Sequence, residues 1–183
     1  MIILIDDFLS DFEAFNRYAR EIDYSGVVNP VDGVMYPHIS TEILSEVAAE
    51  VVDKVQQEMG QIVINTLFLR LTTRNTKGAP HQAHNDASMG DFSLMLYMQD
   101  GPGGTSFVEH IEEDMKYGPT EEQLPIWARD TNVPEAWKIH DMAEMKANRV
   151  CIFPSNWMHR AEPIGGFGES TADGRLVMTA FLS

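Results

Sequence analysis

The sequence predicts an α+β domain in which two amphipathic helices precede a sandwich or barrel of short antiparallel strands. Three observations carry that expectation. Apolar residues recur at helical spacing as far as Gly60, the period then shortens to two, and glycine- and proline-rich turns separate the later apolar runs.

Residues 2–5 form a short apolar β run closed by Asp6 and Asp7. Ser10 or Asp11 is placed to cap a helix with Phe12, Phe15, Tyr18, Ala19 and Ile22 at helical spacing. Ser40-Thr41-Glu42 opens a second helix running to about Gly60, whose stripe is Ile43, Leu44, Val47, Ala48, Val51, Val52 and Val55. From 61 to 74 the side chains alternate, with Leu69 and Leu71 opposite Arg70 and Thr72. Further strands are expected at 92–98, 105–109, 149–153 and 175–182. Gly101-Pro102-Gly103-Gly104 turns the chain between the first two, and a glycine-rich connection at 165–174 leads into the last. The acidic stretch 110–148 departs from this pattern. Its helix-like pieces around 120–129 and 134–147, with Trp127 and Trp137, read equally well as a lid over a site or as a helical excursion pinned to the sheet.

Composition narrows the function. The chain has 183 residues, about one domain's worth, with 44% apolar and 22% charged residues, as in folded proteins. A chain of this length buries roughly 70% of its unfolded surface, so no disulfide staple is needed. The single Cys151 could not form an internal one, which suits a reducing, cytoplasmic setting. It reads as a buried strand residue without redox function. Lys and Arg number 13 against 28 Asp and Glu, a net charge of −15. That balance argues against a phosphate-tracking nucleic-acid binder and against a polybasic membrane-surface protein. The N-terminal apolar run is too short and too acidic for a signal peptide, and no stretch approaches a transmembrane helix in length.

The chemistry is concentrated in a few histidines. In His84-Asn85-Asp86, an imidazole and a carboxylate two positions apart on extended chain project to the same side. They supply two ligands of a 2-His-1-carboxylate metal site. Alone, the pattern equally describes a turn with a hydrogen-bonded aspartate. His159 strengthens the metal reading, because it follows the 149–154 strand and a short loop and is thereby held at a strand mouth. Arg175, Val177, Thr179 and Phe181 share one face of the last strand, and an arginine beside an open metal position makes a bidentate clamp for a carboxylate. His81 precedes His84 by three residues, but Pro80 argues against a helix there, so His81 reads as a pocket residue rather than a ligand. His38, His110 and His140 read as ordinary surface or core histidines.

In order, the motifs are His84-x-Asp86, Leu96-Tyr97-Met98, Gly103-Gly104-Thr105-Ser106-Phe107, Arg149-Val150-Cys151-Ile152-Phe153-Pro154, His159 and Arg175. With the opening Ile3-Leu4-Ile5-Asp6-Asp7-Phe8-Leu9-Ser10, this series resembles the Fe(II)- and 2-oxoglutarate-dependent dioxygenases, nearest the prolyl-4-hydroxylase-like branch. The resemblance implies one domain over residues 1–183, and the helical insertion at about 110–148, where the likeness is thin, departs from the family pattern. The implied core is a double-stranded β-helix, or jelly roll, with the N-terminal helices packed on one side. It further implies that His84, Asp86 and His159 bind Fe(II) and that Arg175 pairs with the far carboxylate of 2-oxoglutarate. Tyr97 and Thr179 are then candidate hydroxyl donors to that carboxylate, and O2 is the second cosubstrate. The interval from His159 to Arg175 is longer than usual for the family, which leaves Arg149 and Arg160 as alternative clamps. The activity expected is hydroxylation of a peptide, a protein side chain, an amino acid or another small molecule. The alternative is a non-catalytic metal-binding jelly roll acting as a sensor or binding module.

Overall fold

The computed structural model describes residues 1–28, 33, 35–76 and 82–183, so the readings of Pro80 and His81 lie outside the described residues. In chain order the elements are β1 (Ile3–Ile5), α1 (Phe12–Glu21), β2 (Val27–Val28), β3 (Met35–Tyr36), β4 (Ile39–Ser40), α2 (Ser45–Met59), β5 (Ile64–Thr72), β6 (Phe92–Tyr97) and β7 (Gly104–His110). There follow α3 (Leu124–Asp130), a 3-10 turn (Pro134–Ala136), β8 (Trp137–Glu144), β9 (Arg149–Pro154), β10 (His159–Glu162) and β11 (Arg175–Leu182). Six strands form one sheet in the order β1-β9-β6-β11-β5-β4, and three form another in the order β10-β7-β8. All their pairings are antiparallel. The result is an α+β fold dominated by strands.

Side-chain parity divides the larger sheet into two chemically different faces. In register, Leu69, Leu71, Leu94, Leu96, Val150, Ile152, Leu176 and Met178 fall on one face. They merge into a single core with Phe12, Phe15 and Ala19 of α1 and Val47, Val51 and Val55 of α2. Both helices therefore cover one side of the sheet, as the apolar stripes require. The opposite face carries Tyr97, Cys151, Phe153 and Val177, which meet Phe107 of β7 and Ala143 of β8 in a second cluster joining the two sheets. Where this face opens past β11 and β5, it lines a cavity of about 280 Å³.

Several local expectations change. Neither Ser10 nor Asp11 caps α1 through its side chain; the Ser10 hydroxyl donates to Glu50 Oε1 at 2.6 Å, fastening the start of α1 to α2. The second helix begins at Ser45 rather than Ser40, because Ser40 ends β4 paired with Leu69. Residues 137–144 are a strand, not the expected helix, for β8 completes the outer edge of β7. Backbone groups of β7 that would otherwise lack partners override the helical propensity of the Met, Ala and Glu residues there. Trp137 and Ala143 are buried, whereas Lys138 and Glu144 are exposed, the charged character expected of an edge strand.

Gly104 shows how tightly β7 and β8 approach. Its φ is +152°, and a Cβ there would lie 1.9 Å from the Ala143 carbonyl oxygen. Backbone has nowhere to yield, so Gly104→Ala is expected to destabilise by about 2 kcal/mol or more. The measurement is the urea midpoint against wild type, with Gly165→Ala as comparison, since nothing lies within 4 Å of a Cβ at Gly165 despite its φ of +84°. Equal losses at the two glycines would show that strain alone, not the contact with Ala143, sets the cost.

Candidate metal centre

His84 and His159 are brought together by backbone first. His84 N–H donates to His159 O at 3.0 Å and His159 N–H donates to His84 O at 2.8 Å, an antiparallel bridge between the two residues. Such a reciprocal pair sets both side chains on the same side. The ring centroids are 4.4 Å apart. Asp86 N–H donates to Ser155 O at 2.7 Å, so the carboxylate two positions along returns to that side. One ligand atom from each of His84, Asp86 and His159 lies within 4.8 Å of the others. The sequence expectation that these three residues meet is thus met in space.

The tautomers follow from the second ring nitrogens. His84 Nδ1 is 2.9 Å from Gln82 O, and His159 Nδ1 is 2.9 Å from Trp157 O. A carbonyl accepts only, so each Nδ1 carries the proton and each Nε2 keeps its lone pair. His84 Nε2 lies 3.7 Å from Asp86 Oδ1, and His159 Nε2 lies 3.2 Å from Asp86 Oδ2. The latter contact is not aligned as a hydrogen bond, and His159 Nε2 is buried without a partner. Burial, and then His159, push His84 down to about 4. Two imidazole Nε2 atoms and a carboxylate therefore converge. A cation is what such a donor set fits.

The loop bearing His84 is held from behind by the 110–148 segment. Thr131 Oγ1–H donates to Ala83 O at 2.7 Å and Trp127 Nε1–H donates to the same oxygen at 3.0 Å. Ala83 N–H donates to Thr131 O at 3.0 Å, and Gln82 N–H to Asn132 Oδ1 at 3.0 Å. Trp137 is buried, its Nε1–H bonded to Asp130 O at 2.8 Å. Neither tryptophan lines the cavity. Of the two readings of this segment, the contacts are those of a scaffold rather than a cover.

Other candidates are sorted by the same geometry. Arg175 is buried on the cavity wall, its Nη2 donating to Gly104 O at 3.2 Å while its Nε has no partner; burial draws it down to about 10, so it stays cationic at neutral pH. The alternative clamps are committed elsewhere. Arg149 donates through Nε to Asp6 Oδ1 at 2.6 Å, and Arg160 through Nε to Glu162 Oε1 at 2.7 Å. Thr179 reaches the cavity. Tyr97 does not line it, for its hydroxyl lies 2.9 Å from Thr105 Oγ1 and 3.1 Å from Ala143 O, between the sheets. Thr105 stands on the cavity wall in its place. His110 is a core histidine bonded through Nε2 to Asp130 Oδ2 at 3.0 Å, whereas His38 lines the cavity. The Cys151 thiol is buried and pushed up to about 12, consistent with an inert strand residue. Sequence reasoning missed Arg70, also on the cavity wall; its signal is an arginine interrupting an apolar run at the parity of Thr72, opposite Leu69 and Leu71.

The family model of DUF6445, described as a family of unknown function, matches residues 1–182. The chain belongs to that family. No curated protein gives a significant match. Among solved structures, this DUF6445 chain is similar to HygX from Streptomyces hygroscopicus with iron bound, with 12% identity, TM-score 0.59, and coverage of 100% of this chain and 81% of that one. HygX is also known with nickel, 2-oxoglutarate and hygromycin B bound. EctD from S. alaskensis, solved with 2-oxoglutarate and 5-hydroxyectoine, has 18% identity and TM-score 0.54 over 100% of this chain and 71% of its own. The epimerase SnoN, in complex with Fe3+, alpha ketoglutarate and nogalamycin RO, has 10% identity and TM-score 0.54 over 99% and 78% of the two chains. These likenesses are of fold.

If the three side chains act as one ligand set, the metal-free protein titrated anaerobically with Fe(II) or with Ni(II) binds one equivalent. At about a hundredfold excess over Kd the ion should stabilise the fold by roughly 2.7 kcal/mol, reversibly with chelator. His84→Ala, Asp86→Ala and His159→Ala are each expected to remove that stabilisation. Retention of it in all three would place the ion elsewhere.

Proposed function

We propose that this chain is an Fe(II)- and 2-oxoglutarate-dependent oxygenase acting on a small molecule, built as one domain over residues 1–183. The observation that carries the reading is the convergence of two bare imidazole nitrogens and a carboxylate at the wall of a cavity that also holds a buried arginine. The fold of iron- and 2-oxoglutarate-bound proteins supports it. On this reading the two facing sheets are those of a double-stranded β-helix.

His84 Nε2, His159 Nε2 and an Asp86 oxygen would hold Fe(II). When bound, the metal supplies oxidative decarboxylation of 2-oxoglutarate and the oxidising power for attack on an unactivated C–H bond. The protein supplies the rest. The Gln82 and Trp157 carbonyls fix the two rings and make them better donors. Arg175 offers a desolvated guanidinium, with its Nε uncommitted, to the distal carboxylate of 2-oxoglutarate. Thr179, four residues further along the same face, lines the cavity with its hydroxyl donating to Met95 Sδ at 3.2 Å, a contact it would exchange to reach that carboxylate. Phe153 lies edge-on to His159 with ring centroids 4.8 Å apart, shielding the ligand from water on that flank. Hydroxylation is the reaction we assign, as in the prolyl-4-hydroxylase-like enzymes. No helix among the described residues is long and apolar enough to cross a membrane.

The test is formation of succinate from 2-oxoglutarate with Fe(II), oxygen and a panel of small-molecule substrates. Substrate-dependent succinate is expected from the wild type, with His84→Ala inactive. Arg175→Gln should raise the KM for 2-oxoglutarate by about tenfold or more, the scale of a lost charge-assisted bidentate contact. Metal and 2-oxoglutarate binding without succinate under any substrate would instead favour the non-catalytic binding module.

A further inference from the structure

Arg70 has no place in the chemistry above, yet it shares the cavity with it. On β5 it stands opposite Val177, while Arg175 stands opposite Thr72. The two arginines are thus diagonal neighbours on one face of the β5-β11 pair, a spacing of roughly 7–8 Å between backbone positions. Arg70 is close enough to Asp86, His84 and Arg175 for its charge to bear on each of them. Burial draws its guanidinium down from its ordinary value while Asp86 opposes this from a distance, and no carboxylate among the described residues lies within 4 Å of it to form an ion pair.

A count of charge decides what Arg70 is for. Asp86 is the one carboxylate on the cavity wall among the described residues, and Arg160 is neutralised there by Glu162. A divalent ion with Arg70 and Arg175 therefore outweighs Asp86 by three charges. Dianionic 2-oxoglutarate offsets two of them, one carboxylate at the metal and one at Arg175. A single positive charge remains in a partly desolvated pocket, where an unpaired ion is costly. Arg70 is less deeply buried than Arg175, on the side of the cavity bounded by His38 and Ile39. The walls beside it are apolar, with Phe68 and Phe181 in ring contact at 6.1 Å.

We infer that Arg70 is a specificity-determining residue that binds the carboxylate of the primary substrate, and that this substrate is an amphipathic carboxylate with an apolar body seated against Phe68 and Phe181. The inference rests on the oxygenase reading and names its substrate class. A guanidinium prefers a carboxylate over the isosteric amide because the amide brings neither the charge nor two acceptor oxygens.

Ni(II)-loaded protein saturated with 2-oxoglutarate, titrated calorimetrically with phenylacetate and with phenylacetamide, tests this. Phenylacetate is expected to bind at least about tenfold more tightly than the amide. Arg70→Gln should erase that preference while weakening 2-oxoglutarate binding far less than Arg175→Gln does. Absence of a preference in the wild type overturns the inference. So does an Arg70→Gln loss of 2-oxoglutarate affinity as large as that of Arg175→Gln, which would assign Arg70 to the cosubstrate. Should Arg70→Gln not fold, Arg70→Lys replaces it: weaker phenylacetate binding with unchanged amide binding supports the assignment, and no change in either overturns it. If 2-oxoglutarate fails to bind the nickel-loaded wild type, the oxygenase reading falls, and the two probes titrated without it still decide whether Arg70 selects a carboxylate.

Discussion

The two hydrogen bonds exchanged between His84 and His159 are the constraint on which the site depends. Neither residue could be placed by its own element alone. His84 lies in a loop after β5, and His159 begins β10 just after the chain leaves β9 and changes sheets. Each bond contributes only about 1 kcal/mol net, but the pair fixes register, and register fixes which way both rings point. Asp86 inherits its direction from the same bridge, since its own N–H is held by Ser155 next to the sheet change. A one-residue slip would turn His84 and Asp86 away from His159 together.

The parity of the larger sheet then separates two kinds of burial. On the helical side the central strands are apolar, and Ser40 at the β4 edge is satisfied by Glu42 N–H, which donates to its Oγ at 3.3 Å. On the other side Arg70, Arg175, Thr179 and Ser93 are inserted between apolar neighbours of the same strands. Such residues weaken a core unless something answers them. Ser93 is answered by Ser155 at 2.9 Å, and Arg175 in part by the Gly104 carbonyl. What stays unanswered is cationic, inside a protein whose net charge is −15. The surface therefore repels small anions at long range, where salt screens the effect, and the cavity attracts them at short range, where it does not.

Much of this was legible in the residues. Alternation at 61–74 and 175–182 gave the two strands that wall the cavity, and the His84-x-Asp86 spacing with His159 gave the three convergent side chains. Both are period-two arguments, which depend only on the backbone being extended. The failures have a different origin. Residues 137–144 carry good helix formers, and their strand state is imposed by an edge of β7 that no local pattern reveals. Ser40 resembles a helix cap, but pairing with Leu69 claims it for β4. Tyr97 lies on the correct face of β6, yet which side chain on that face reaches the cavity depends on how far apart the sheets stand. Thr105, from the facing strand, is interposed.

The 110–148 segment shows why site and substrate must be sought on different walls. Its contacts run through α3 and the residues just after it to the Gln82 and Ala83 backbone, immediately before the first candidate ligand. A segment so bonded cannot open and close over a substrate without dragging His84 with it, and the bridge to His159 resists that motion. These contacts tether the loop that bears His84. If Arg70 binds the substrate carboxylate as inferred, selection falls to the wall where β4, β5 and β11 present Ile39, Phe68, Arg70 and Phe181. The three convergent ligands hang on the His84–His159 bridge, whereas Arg70, Arg175, Phe68 and Phe181 stand together on the β5-β11 pair, and the cavity joins the two supports.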